Sequence, residues 1–594
     1  MRSFRMATFA LALSTATMLV PVAFAADAAT QVYPIDRATL LSGGKFDFKV
    51  EFPGKVDENA IRVKIGDKAL TDVFKDKVTY IADENNSGGS TIEIKGVSIE
   101  KPGVYPITVE GKGADGTLYS RTVTWDVYGT GEKPKAKNII FIIGDGMTVS
   151  MRTGARIMSK GNTEGKANAR LNMDSLPRMA FIGTSSTDSI AADSANTMSA
   201  YMTGQKSAVN ALGVYASRAK GSLDHPRQET FAEALRRAAP EKAIGVVSNA
   251  EIEDATPAAT VAHTRRRADK AQIVGMFYDV QPDVILGGGS AYFLPQTTPG
   301  SKRKDDIDYI AKFKDAGYQF VSDKAELAGV TGEAKGKLLG LFHTGNMDGT
   351  LDRRLGTGTV KKFPNQPDVP QMMTTALDVL SKNPDGFFLM VEGALIDKFE
   401  HPLDFDRAIY ETITLDKLVG IAQDFAKTHP DTLIVVTADH THGTSVIGTI
   451  DNDKPGSGRD QVGTYAEAGF PNYVDADKDG YPDSIDVSRH LAVFANNFPD
   501  YYETWRPKMD GPFVPAVKNE KGEYVANEAY KNIPGATFRE GNLPRTEDTG
   551  VHAVDDVVLQ ATGPGSEELF GYMENSDVYR VLADTFALGA NARK

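Results

Sequence analysis

From Gln31 to Tyr128 apolar and polar residues alternate in short runs, as in Lys45 to Phe52, Ser90 to Ile94 and Arg121 to Val127, each bounded by Gly, Pro or Asp. Alternation with period two puts one face of each run in a core and the other in water, so the spacing predicts β-strands. About a hundred residues of such strands predict an immunoglobulin-like β-sandwich over 26–130. No group of reactive side chains falls in it, and it reads as a spacer or adhesion module. Gly129 to Lys137 is a polar linker. Beyond it the pattern changes to continuous apolar runs at Ile139 to Ile143, Ala243 to Val247, Asp283 to Leu286, Phe387 to Val391 and Thr432 to Val436, separated by helical stretches. Strands apolar on both faces and alternating with helices predict an α/β fold over 131–594, a mainly parallel sheet with helices on both faces. Ligands of such folds bind beyond the carboxyl ends of the strands. Between about 445 and 545 the alternation fails in favour of Gly, Pro, Asp, Asn and Tyr, which predicts an insertion on the main domain.

The first residues change the picture of where the chain works. Arg2 and Arg5 precede an apolar run from Met6 to Val22, and Ala23-Phe24-Ala25 offers small residues at the positions a signal peptidase reads. Residues 1–25 are expected to be a secretory signal and the mature protein periplasmic or secreted. No later stretch has the ~18 uninterrupted apolar residues of a spanning helix, so no membrane span is expected. Cysteine is absent, so any metal must be held by nitrogen and oxygen, and stability must come from core size and bound metal. The net charge of −13 disfavours nucleic-acid partners.

Five segments carry candidate chemistry. Gly144-Asp145-Gly146 places a carboxylate at a strand end, although a loop Asp-Gly is ordinarily just a turn. Asp193-Ser194-Ala195-Asn196 puts Ser194 where a helix begins; its ordinary role there is a cap, but a helix N-terminus also favours a phosphate. Asp254-Ala255-Thr256-Pro257 suits the start of a helix, which would carry Arg267 along one side towards the cleft, where its planar fork could grip two phosphate oxygens. Arg265 and Arg266 make a solvated basic run the competing reading. Glu392 to His401 follows an apolar strand, and a helix there puts Asp397 and His401 on one face at i and i+4, suited to one metal. Asp439-His440-Thr441-His442 follows another strand, and His552 comes late.

Taken together the segments resemble the alkaline phosphatase family, over about 138–588 apart from the insertion. The resemblance rests on Ile-Gly-Asp-Gly-Met at 143–147, Asp-Ser-Ala at 193–195, Asp-Ala-Thr-Pro-Ala-Ala at 254–259, Val-Glu-Gly-Ala at 391–394 with Ile-Asp-Lys at 396–398, and Thr-Ala-Asp-His at 437–440. It implies hydrolysis of small phosphomonoesters through a phosphoserine at Ser194, with two Zn²⁺ and one Mg²⁺. By the same resemblance Asp397, His401 and His552 would bind the first zinc, Asp145, Asp439 and His440 the second, and Asp145, Thr256 and Glu392 the magnesium. Arg267 would hold the phosphate oxygens. Asp254 and Lys398 resemble the bacterial branch, Asp254 ordering metal-bound water and the Arg, Lys398 reaching phosphate through water. His442 matches a histidine near the zincs rather than a ligand, and a homodimer is implied.

The insertion adds a separate candidate. Asp475, Asp477, Asp479, Asp483 and Asp486 occupy positions 1, 3, 5, 9 and 12 of a loop with Gly480 at 6, the spacing of a calcium loop in which Tyr481 gives its carbonyl. Position 12 is Asp rather than the usual Glu; a structural Ca²⁺ is expected, against the plain reading of a solvated acidic turn. Three rival functions are weaker. A phosphodiesterase of the same superfamily would lack counterparts of Thr256, Glu392 and Arg267. A sulfatase needs Pro and Arg after its nucleophile, where Ser194 is followed by Ala-Asn-Thr-Met. A non-catalytic calcium-binding adhesion protein requires a missing ligand, and none is missing.

Overall fold

Alternating runs at the start of the chain become two small sheets. The computed structural model describes residues 29–330 and 336–590; the expected signal over 1–25 lies outside them. One sheet orders Gln31–Tyr33, Phe46–Glu51, Thr91–Val97 and Thr79–Ile81, the other Thr39–Leu41, Leu118–Tyr128, Gly103–Lys112, Arg62–Ile65 and Lys68–Ala69. Both contribute to one apolar cluster, including Phe48, Val50, Ile107, Val109 and Trp125, that is separate from the main core. Trp125 has no exposed surface; its indole N–H donates to Pro34 O at 3.0 Å, so its one polar group is satisfied. A buried ion network ties these sheets to the rest of the chain. Lys49 Nζ sits 3.0 Å from Glu51 and 2.7 Å from Glu84, and Arg218 reaches in from the larger body to Glu84 and to Phe52 O.

The apolar strands form a ten-stranded sheet in the order Tyr318–Val321, Lys337–Leu341, Val284–Gly288, Ala243–Glu251, Phe387–Gly393, Asn138–Gly144, Thr432–Thr437, Val557–Thr562, Arg178–Gly183 and Gly571–Glu574. All pairings are parallel except the two made by Val557–Thr562. Side-chain alternation shows why these strands are apolar throughout. Phe141 meets Tyr201 of helix Ser194–Thr203, and Phe388 meets Phe231 of helix Phe231–Ala238. On the opposite face Phe387 meets Phe425 of helix Phe405–Thr428, and a Cβ at Gly144 would strike Leu415 of that helix. Helices therefore cover both faces, as the periodicity predicts, and the sheet is mixed at one edge.

Neighbouring parallel strands end together. Ile143 is level with Glu392 and with Thr437, and Ser248 is level with Glu392. The chain just past these ends holds Asp145, Glu392, Asp397, Asp439 and His440. Residues 441–553 contribute no strand to this sheet; they form a three-stranded sheet and small two-stranded pairs beside it. Among the described residues no helix is long and apolar enough to cross a membrane.

One buried histidine behind the cleft gives a pH-dependent expectation. His263 has Gly213 O at 2.9 Å from Nδ1 and the Glu233 carboxylate at 2.9 and 3.0 Å from Nε2. Both partners can only accept, so both ring nitrogens carry hydrogen and the imidazolium is the favoured form. Burial opposes this charge, but Glu233 overcomes it, and the pKa is raised above the ordinary value. A raised pKa contributes stability that is complete below the unfolded value of ~6.5 and is lost as pH rises through the folded value. His263→Gln should therefore destabilise more at about pH 6 than at about pH 9.5. The difference should be on the order of 1 kcal/mol, since the Glu233 side chain is 35% exposed and screened by water. Urea unfolding at the two pH values checks it; a pH-independent loss would contradict it.

Candidate active site

Ser194 opens helix Ser194–Thr203, capped by Asp193, whose carboxylate accepts from Asn196 N. This start fixes the Ser194 hydroxyl at the positive end of the helix dipole. Its Oγ lies 3.4 Å from Asp145 Oδ1 and 3.3 Å from His440 Nε2. Asp145 Oδ1 and Asp439 Oδ2 are 3.2 and 3.5 Å from the same His440 nitrogen. A tetrahedral ion with bonds of ~2.0–2.1 Å spaces its ligand atoms ~3.3–3.4 Å apart. These four atoms thus have the spacing of one metal's shell. Asp439 Oδ1 is taken by the amides of Gly146 and His440, while its buried Oδ2 has no hydrogen-bond partner. Gly146 is required here: its φ is +66°, and a Cβ would lie 2.9 Å from His442 and 3.0 Å from Asp397.

A second group forms beside it. Asp397 and His401 are one turn apart at the end of helix Leu395–Glu400, as their spacing predicts, and Oδ1 to Nε2 is 3.3 Å. His552 Nε2 is 3.5 Å from the same oxygen and 3.1 Å from His401 Nε2. His401 Nδ1 donates to Gly550 O and His552 Nδ1 to Ala192 O, both at 2.7 Å. Each Nδ1 therefore carries the hydrogen, and two Nε2 lone pairs face each other at 3.1 Å. Such an approach is repulsive between neutral rings unless a proton or a metal ion lies between them, and the donor set of two imidazoles and a carboxylate fits a metal ion. His442 Nε2 stands 2.6 Å from Asp397 Oδ1. With one carboxylate oxygen shared by His442, His401 and His552, His442 orients Asp397 as well as any ion it holds.

The third group is Asp145, Thr256 and Glu392, all buried. Thr256 Oγ1 has no hydrogen-bond partner, and Glu392 is bonded by Ser248 Oγ. A buried, unpartnered hydroxyl at Thr256, with Asp145 near enough to Glu392 to raise its pKa, fits a hard, oxygen-seeking cation. Electrostatics point the same way. Burial, and then Asp145, push Glu392 up to about 8 and Asp439 well above the carboxylate range. Burial would raise Asp397 too, but the histidines around it hold it down. A cluster of this density is costly without positive charge at its centre.

Arg267 and Lys398 border the cleft through Asp254. Arg267 Nη2 is 3.2 Å from Asp254 Oδ1, its Nη1 is 3.4 Å from Asp193 Oδ2, and Lys398 Nζ is 2.8 Å from Asp254 Oδ2. Burial would raise Asp254, but Lys398, Arg267 and Lys270 hold it well below the usual range. The expected route for Arg267 is corrected. Helix Ala255–Ala258 is only four residues long, and Arg267 arrives by a turn whose amide bonds Asn210 O. Arg265 and Arg266 turn away, to Val209 O and to Asp269. The cap role that the sequence offers to Ser194 falls to Asp193, the unforeseen member: it holds Arg267 as well as the helix start. Only the nearness of Asp to Ser in one tripeptide hinted at it.

The calcium-loop residues are brought together in part. Asp475, Asp477 and Asp479 have oxygens within 4.8 Å of one another, a group without Asp483 or Asp486. Asp483 instead accepts from Ala476 N at 3.0 Å, and Arg354 lies 2.6 Å from Asp479 Oδ2. Tyr481 turns its buried ring onto Tyr410.

Comparison with known proteins gives a consistent result. The family model described as alkaline phosphatase matches residues 136–588. The chain is 36% identical over 364 residues to alkaline phosphatase of Escherichia coli (strain K12), covering 55% of this chain and 74% of that protein. It is 30% identical over 492 residues to the tissue-nonspecific isozyme of Gallus gallus, covering 77% and 85%. The crystal structure of Thermus thermophilus alkaline phosphatase shares the fold with a TM-score of 0.54 at 20% identity, covering 77% of this chain and 93% of that one.

Proposed function

The chain belongs to the alkaline phosphatase family and is a phosphomonoester hydrolase; on that premise we propose that Ser194 is its nucleophile, carrying the phosphoryl group as phosphoserine before water releases it. Asp397, His401 and His552 would hold one zinc, Asp145, Asp439 and His440 the other, and Asp145, Thr256 and Glu392 a magnesium. When bound, these ions supply the positive charge that acidifies a hydroxyl or water and offsets the charge of entering and departing oxygens. The protein's own part is positional. With the cations bound, the acidified Ser194 hydroxyl would give its proton to water, and the helix start presents its Oγ to phosphorus, so no histidine base is needed. Arg267 offers two Nη groups to two non-bridging oxygens, and Asp193 and Asp254 fix its plane. Lys398, tethered to Asp254, would reach phosphate through a bridging water. The observation that carries this reading is the approach of Ser194 Oγ to Asp145 Oδ1 and His440 Nε2 at 3.4 and 3.3 Å.

The remaining readings follow. Residues 1–25 act as a secretory signal, 26–130 as an immunoglobulin-like sandwich and 131–594 as the catalytic domain with an insertion at about 445–545. The enzyme works as a homodimer in the periplasm or outside the cell. The acidic loop takes a structural calcium on Asp475, Asp477 and Asp479, with Tyr481 O, Asp483 and Asp486 completing the shell as the loop closes and Arg354 gives way.

Arg267 separates monoesters from diesters, because with one non-bridging oxygen turned to the cation-holding groups a monoester would leave two for the guanidinium and a diester only one. Arg267→Ala should lower kcat/KM for p-nitrophenyl phosphate by about 10²-fold and that for methyl p-nitrophenyl phosphate far less. Equal losses on both substrates would refute its assigned role.

A further inference from the structure

The catalytic groups occupy only the floor of a cleft of about 920 Å³, near the upper end of the ~300–1,000 Å³ that enclose whole small-molecule ligands. A phosphoryl group fills a small part of it. The rest is walled by groups unsuited to gripping phosphate. Val514 and Pro515, from the segment outside the main sheet, line it together with Val551 and Val209. Two carboxylates, the half-buried Glu547 and the exposed Asp548, line it as well.

The apolar wall is built and held, not a loose loop. Phe513 N donates to Asp404 Oδ2 at 3.1 Å, and Asn527 bonds the carbonyls of both Val514 and Pro515 at 3.0 Å. The Phe513 ring packs on Tyr530 with centroids 4.6 Å apart and joins Leu403 and Tyr501 in a small core. Leu403 and Asp404 follow closely on His401, so the wall is fixed to the end of the helix that carries His401. Just before strand Ala516–Lys518, Phe513 is 3% exposed and Val514 49% exposed, and both line the cleft. Val514 is not a lone exposed side chain: with Phe513, Pro515, Ala516, Val551 and Val209 it makes an apolar lining in the cleft that holds Ser194, and contiguous apolar surface of this kind marks a binding site.

The geometry points to a leaving-group subsite at this wall. It rests on the phosphomonoesterase reading and narrows it: the favoured substrates carry an extended apolar leaving group with no second negative charge. Val514 and its neighbours gain by covering the apolar group, and Glu547 and Asp548 repel a further anion before it docks.

Alkyl phosphates test this cleanly, because hexanol and ethanol are leaving groups of similar acidity and chemistry cancels in their ratio. The wild-type enzyme should show kcat/KM about tenfold or more higher for hexyl than for ethyl phosphate. Val514→Asp should reduce that ratio by about fivefold or more. Glu547→Gln with Asp548→Asn should raise kcat/KM for 1,6-hexanediol bisphosphate by about threefold at low salt, a gain that shrinks at high salt. A wild-type ratio near unity, or a ratio unmoved by Val514→Asp, overturns the subsite while leaving the phosphatase reading intact. Hydrolysis of neither ester would instead overturn that reading.

Discussion

Ser194→Ala should lose about 10⁴-fold or more of its turnover on any phosphomonoester, with its fold and metal content retained. The size of the loss follows from the layout. Every other group in the cleft binds or orients, and Ser194 Oγ is the hydroxyl that both His440 Nε2 and Asp145 Oδ1 approach. Without it, water must attack from a position the helix start does not define, and only electrostatic stabilisation is left. Because Ser194 is small and buried at a helix start capped by Asp193, alanine leaves the cap in place and the thermal midpoint nearly unchanged. Steady-state kinetics alongside elemental analysis checks both halves. Loss of metal together with activity would assign Ser194 a structural duty, and retained activity would remove it from the chemistry.

Stripping divalent cations should be nearly as damaging, by about 10³-fold or more in kcat/KM, and it should also lower the thermal midpoint. Asp145, Glu392, Asp397 and Asp439 are all buried within one cluster, and the nearby Lys398 and Arg267 are already engaged by Asp254. Removing the cations forces protons onto Glu392 and Asp439, the two carboxyls that burial and Asp145 push up. It also sets the His401 and His552 lone pairs against each other. Both effects raise the energy of the folded state, and ions that bind only that state stabilise it by mass action. Zinc and magnesium restored together should recover activity and midpoint. Full activity after exhaustive chelation, with metal content shown to be nil, would contradict the reading.

How much of this could be read from the chain differs by residue. Asp145, Glu392 and Asp439 were legible because each follows an apolar run, and parallel strands in register must end together. Asp397 and His401 were legible because i and i+4 on a helix is a fixed geometry. The path of Arg267 was not. It depends on Arg267 N meeting Asn210 O and Thr264 N meeting Leu212 O, long-range bonds that no local spacing encodes, and the helix expected to carry it stops after four residues. Asp193 takes the cap role that the sequence offers to its neighbour Ser194, a shift of one residue that local pattern does not resolve, and its grip on Arg267 joins residues far apart in the chain. The cleft wall at Val514 was likewise hidden: it lies in a segment without alternation, placed by long-range bonds such as Phe513 N to Asp404. In the acidic loop the spacing brings only Asp475, Asp477 and Asp479 together; Asp483 turns to Ala476 N, a competing bond within the same turn.

The most direct measurement is the location of covalent phosphate after rapid acid quenching of the enzyme during turnover, with the peptides separated and sequenced by mass spectrometry. The account predicts phosphate on Ser194, absent from Ser194→Ala and from cation-stripped protein. Phosphate on any other side chain in active enzyme would contradict it.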